Sequence, residues 1–150
     1  CRDSRLEIIQ KLKMKNPNST MNTLGEGDDI SDLNASEIEL YKGTLKNRDL
    51  LKKALLELEK EEMHHESIGQ LLLDHHQVLR DVLQVSTPKI ETMMDAASNA
   101  GALGGKINGS GGGGCMFAYA PNNPEHVAEA IEKAGGKAYI IQQDEGTRIN

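Results

Sequence analysis

Between Gly101 and Gly114 stand eight of the 15 glycines in this 150-residue chain, and the run GSGGGG at 109–114 is the densest part. Consecutive glycines let backbone N–H groups converge on an anion at distances a Cβ would block, so phosphate contact is the chemistry this spacing offers. Two other readings compete with it. Gly/Ser composition is what flexible linkers use, yet KIN before the run and CMFAYA after it are strand-like, and too little chain follows for a second domain. Gly109, Gly111 and Gly114 satisfy G-x-G-x-x-G, but a dinucleotide turn needs a helix after it, and here a strand follows. A Walker A loop also fails, because Lys106 precedes Ile107 rather than Ser or Thr. The phosphate-facing backbone survives.

Other residues invite chemistry less strongly. His64, His65, His75 and His76 suggest a metal site, but adjacent histidines on a helix point to different faces and no third ligand is spaced with them. They are expected to pack or face solvent, and no metal site is expected. Arg80 and Asp81 read as a capping and pairing couple at a helix end. Cys115, running directly into a strand, reads as a small buried residue. Ser110 is an exposed turn serine able to donate one hydroxyl hydrogen bond, with no His-acid pair to make it a nucleophile. The run EKEE reads as a solvated turn or helix face.

The elements that must position the glycines follow from periodicity. SRLEIIQKLKM (4–14) places Leu6, Ile9 and Leu12 on one helical face behind Ser4. From NPNST to NAS the chain reads as a long mobile loop ending in a short helix near SEIELYKG. Asn47 is the expected cap of the next helix, whose stripe is Leu50, Leu51, Ala54, Leu55 and Leu58. A second stripe of Ile68, Leu71, Leu72, His75, Leu79 and Leu83 makes two antiparallel helices, or one bent one, of residues 47–84, and two is the reading favoured. Ser86 and Pro88 start another helix, with Ile90, Met93, Met94 and Ala97 inward and Gly101 as its stop. Strands are expected at 106–108, 115–120 and 138–141, with a helix from Asn123-Pro124 to Gly135-Gly136 between the last two and an edge strand in the tail QQDEGTRI. Helices then outnumber strands about two to one, and the order is α+β, with helices packed on a small antiparallel sheet.

Bulk properties narrow the function classes. A net charge of −6, from 23 acids and 17 bases without a basic run, argues against nucleic acid binding. No stretch of 18 apolar residues and no secretory pattern is present, and two cysteines make no disulfide framework. A cytoplasmic protein without membrane attachment is the expectation. The start at Cys1, running straight into an amphipathic pattern, suggests a piece of a longer protein.

GALGGKINGSGGGGCMFAYAP resembles the third, C-terminal motif of the GHMP family of small-molecule kinases. The upstream HHQVLRDVLQVSTPKIETMMDAA is similar to the galactokinase pattern, matching at His76, Leu79, Arg80, Asp81, Val85, Ser86 and Pro88, so the resemblance points to galactokinase-like sugar kinases. Gly112 stands where galactokinases carry Phe, and His75 replaces their Ser. The all-glycine form is closer to heptose-phosphate, fucose and mevalonate kinases. The resemblance implies a ferredoxin-like α+β C-terminal domain of a kinase that uses ATP and Mg²⁺ to phosphorylate a sugar, at C1. It implies that Gly109, Ser110, Gly111, Gly112, Gly113 and Gly114 lie against the phosphate loop of an N-terminal domain absent from these residues, with Lys106 and Asn108 in support. Catalytic side chains are then expected in that absent partner, the chain alone is expected to be inactive, and its uncovered apolar face is expected to self-associate. A free-standing ferredoxin-like ligand-binding or regulatory domain is the alternative.

Overall fold

The computed structural model describes residues 2–25, 27–142 and 146. Among the described residues, five α-helices, a π-helical turn and two strands follow one another: α1 (Arg2–Lys15), α2 (Ala35–Leu58), α3 (His65–Gln77), the π-helix Val78–Val82, α4 (Pro88–Asn99), β1 (Gly104–Asn108), β2 (Cys115–Tyr119) and α5 (Pro124–Lys133). The expected α+β arrangement forms, with helices packed on an antiparallel pair of strands. Gly104 pairs with Tyr119 and Asn108 with Cys115, so residues 109–114 are the tip of a hairpin.

Three apolar clusters hold these elements. Ile90, Met93 and Met94 of α4 meet Ile107 of β1, with Leu73, Leu79, Val85 and Met116 packed around them. Ala97, Ala100 and Val127 join α4 to α5. Ile8, Ile9 and Leu12 of α1 pack with Leu24, Leu33 and Tyr41. Here Ile8 takes the inward place expected for Leu6, which is 45% exposed. The loop before α2 is tied down rather than free: Leu24, Leu33 and Ser19 are buried, and the Tyr41 hydroxyl donates to Asp28 at 2.9 Å.

Helix α2 departs most from its sequence reading. It runs unbroken for 24 residues, starting at an Asn34 cap whose side chain accepts from Glu37 N while Glu37 accepts from Asn34 N. Asn47 caps nothing. It lies inside the helix, with its side-chain oxygen buried and unpartnered among the described residues. Gly43, inside the helix, lets Val82 of the π-helix come close. The expected leucine stripe also fails: Leu50 is buried, but Leu51, Leu55 and Leu58 are 60%, 50% and 57% exposed, because α2 turns Leu50 and Glu57 inward.

Residues 138–141 form no strand, so the described sheet has two strands rather than three. Tyr139, Ile140 and Ile141 are exposed there, and strand propensity without a ladder partner makes no strand. Most of the tail read as an edge strand lies outside the described residues. No helix among the described residues is long and apolar enough to cross a membrane.

Candidate functional site

The hairpin tip is held open by its glycines. Gly109, Gly111, Gly112, Gly113 and Gly114 all have φ between +75° and +115°, a backbone region costly for residues with a Cβ. At Gly109, Gly112, Gly113 and Gly114 a Cβ would meet nothing within 4 Å, so the tip borders open space. Gly111 differs: its Cβ would lie 2.5 Å from Val85 Cβ and 2.8 Å from the Val85 carbonyl oxygen. Gly112 N donates to that same carbonyl at 2.7 Å, and Gly109 N donates to Asn108 Oδ1 at 3.1 Å. Among the described residues, the amides of Ser110, Gly111 and Gly113 have no protein acceptor. Amides without a protein acceptor, on a tip that borders open space at Gly109, Gly112, Gly113 and Gly114, suit an anion.

Lys106, half-buried on β1, donates to the Ile107 carbonyl at 2.7 Å and lies 5.4 Å from the centre of the Phe117 ring. Burial pushes its ammonium below the ordinary value. No carboxylate pairs with it among the described residues. Ser110 is exposed at the tip. Cys115 is exposed too, contrary to its reading as buried, because it pairs with solvent-facing Asn108 at the open end of the hairpin.

Behind the tip stands a polar cluster that periodicity did not isolate. His76 is 4% exposed, with Nε2 3.0 Å from Glu91 Oε1. Ile107 N, on β1 just before the tip, donates to His76 Nδ1 at 3.4 Å. The Ser86 hydroxyl donates to the same Glu91 Oε1, and Arg80 Nη1 reaches Glu91 Oε2 at 3.3 Å. Burial opposes ionisation of Glu91, yet the Ser86 hydroxyl, His76 and Arg80 together hold its carboxyl below the ordinary value. Arg80 and Asp81 do pair, at 2.7 Å, but inside the π-helix, and Arg80 also serves Glu91. Thr87, rather than Ser86, caps α4.

The remaining histidines are dispersed. His64 Nδ1 lies 2.9 Å from Glu57, His65 Nδ1 lies 2.5 Å from the Tyr119 hydroxyl, and half-buried His75 has its pKa lowered, chiefly by burial. The inward histidine of the second stripe is therefore His76, not His75. No three His, Cys, Asp or Glu side chains among the described residues gather as a metal site.

The profile of the C-terminal domain of GHMP kinases ("GHMP kinases C terminal") matches residues 49–139, which includes the hairpin, its tip and the polar cluster. The chain belongs to the GHMP kinases. A mevalonate kinase of Thermococcus gammatolerans is 46% identical over 99 residues, covering 65% of this chain and 29% of that protein. A mevalonate kinase of Thermococcus onnurineus is 48% identical over 89 residues, covering 59% and 26%. A galactokinase of Clostridium perfringens is 30% identical over 138 residues, covering 82% and 35%. This GHMP chain thus spans less than a third of the length of those two mevalonate kinases. The expected kinship with galactokinase-like sugar kinases is overturned, since the mevalonate kinases match at far higher identity.

Proposed function

We propose that the chain is the C-terminal part of an ATP-dependent mevalonate kinase and that its glycine tip flanks the nucleotide phosphates. The observation that supports this most is the 46% and 48% identity to mevalonate kinases, taken with a hairpin tip whose free amides fit an anion. In phosphoryl transfer an acceptor hydroxyl oxygen bonds to the γ-phosphorus as the bond to the β–γ bridging oxygen breaks and ADP leaves. Positioning and charge stabilisation carry most of the acceleration, so a rigid backbone wall contributes without a catalytic side chain.

In this reading the amides of Ser110, Gly111 and Gly113 face phosphate oxygens, the Ser110 hydroxyl adds a donor, and Lys106 and Asn108 support the tip from β1. ATP would supply the phosphoryl group, and Mg²⁺ would supply charge neutralisation at the phosphates. The base that takes the acceptor proton also belongs to the N-terminal part, the partner for which the exposed Leu51, Leu55 and Leu58 offer an apolar face. The same reading makes the protein cytoplasmic.

The test is phosphoryl transfer by the intact protein, with Mg-ATP and a panel of mevalonate, galactose, fucose and a heptose phosphate. Turnover of mevalonate with a kcat/KM at least about a hundredfold above the sugars is expected, the size of preference a site built around an acceptor's own polar groups can reach. Equal or better turnover of a sugar refutes the acceptor, and no turnover of any of them refutes the kinase.

A further inference from the structure

The glycine tip is fastened to the domain at two points, and both trace back to one carboxylate oxygen. Ahead of the tip, Ile107 N donates to His76 Nδ1; within it, Gly112 N donates to the Val85 carbonyl. Glu91 Oε1 receives both His76 Nε2, at 3.0 Å, and the hydroxyl of Ser86, the residue that follows Val85. Because an amide N–H points at Nδ1, that nitrogen must be the acceptor, which leaves the proton on Nε2 to be donated to Glu91. The imidazole is therefore a strut between α4 and β1. It stands in the last turn of α3, immediately before the π-helix that carries Arg80 to Glu91 Oε2.

We propose that His76 and Glu91 are positioning residues for the glycine tip, fixing the direction in which its free amides point. His76 sets the exit of β1, Ser86 sets the Val85 carbonyl, and Glu91 keeps the two in step. His76 is buried, and the two side chains contact each other, Ser86, Arg80 and the Ile107 amide rather than the tip itself. The consequence for catalysis rests on the kinase reading above; the anchoring itself does not.

The experiment compares His76→Asn with His76→Gln in the intact protein, reading amide hydrogen exchange along residues 104–114 and steady-state kinetics with Mg-ATP. Both variants lose the ring, so their packing loss is shared. Asn keeps an oxygen at the Nδ1 position and can still accept from Ile107; Gln keeps a nitrogen at the Nε2 position and reaches only Glu91. Exchange of the Ile107 amide about tenfold faster in His76→Gln than in His76→Asn is expected, the size of effect one buried hydrogen bond carries. KM for ATP rises in parallel in the Gln variant, with kcat changing less, and the Asn variant restores it.

Equal exchange and equal KM in the two variants overturn the proposal, as does a uniform acceleration of all core amides in both. Glu91→Gln provides the second measurement. It speeds exchange at both Ile107 and Gly112 by at least about threefold if one oxygen sets both anchors, and a change at only one of them, or at neither, refutes the shared node. If the wild-type protein transfers no phosphoryl group, the kinase reading fails while the exchange results still judge the anchoring.

Discussion

Gly111→Ala is the substitution whose cost the structure assigns most directly. At φ +81° an alanine sits in the left-handed region, and its Cβ would lie 2.5 Å from Val85 Cβ and 2.8 Å from the Val85 carbonyl oxygen. Gly112→Ala is the matched control, with φ +75° and nothing within 4 Å of its Cβ. The backbone penalty common to both is about 1–2 kcal/mol. Overpacking against Val85 adds about 1–3 kcal/mol to Gly111→Ala alone, because the oxygen it meets is backbone and already accepts from Gly112 N. Urea unfolding of the two variants measures the difference. With an m-value of about 2 kcal/mol/M, Gly111→Ala should have a midpoint about 0.5–1.5 M below Gly112→Ala. Midpoints that coincide would refute the claim that Val85 braces the tip.

Three further substitutions probe the frame behind the tip. Gly104→Ala should cost about 3 kcal/mol, because its Cβ would fall 2.0 Å from the backbone oxygen of Gly69 where α3 crosses β1; thermal denaturation reads this, and a shift of under a degree contradicts it. Asn34→Ala removes the cap of α2 and should cost about 1 kcal/mol in urea unfolding, with no effect on exchange at residues 109–114. Glu57 is held down to about 2, first by the Lys60 ammonium at 2.5 Å and further by His64, against the opposing effect of burial. Its folded value lies below its unfolded one, so its contribution is complete above about pH 4.5 and is lost as pH falls toward 2. Glu57→Gln should therefore lose stability at about pH 6 and match wild type near pH 2, and an equal deficit at both pH values would contradict the ion pairing.

The hairpin was legible because its signals were local. Eight glycines between two short apolar runs specify a turn and exclude a dinucleotide loop, and the expected strands pair in register around the tip. Helix α4 was equally plain, with Ile90, Met93, Met94 and Ala97 all buried. Helix α2 was misread as a short helix followed by a second one capped at Asn47, although Asn34 and Glu37 carry the capping-box spacing. The leucines of α2 misled because periodicity marks an apolar face without saying what covers it.

The polar cluster was hidden for a different reason. His75 and His76 are neighbours of the same type, and the π-helix that follows shifts the helical phase, so a stripe carried through Leu79 and Leu83 selects His75. The sharper clue was the spacing of Ile68, Leu72 and His76, four residues apart on one face. Glu91 had no local signal, since its partners come from α3, the π-helix and the segment before α4.

The central claim is that the tip at 109–114 faces the phosphates of ATP. Amide hydrogen exchange of this segment in the intact protein, with and without a saturating non-hydrolysable Mg-ATP analogue, tests it most directly. Slowed exchange at Ser110, Gly111 and Gly113, with little change in α1, is the predicted result. Unchanged exchange across 109–114 in protein shown to be saturated with nucleotide would contradict it.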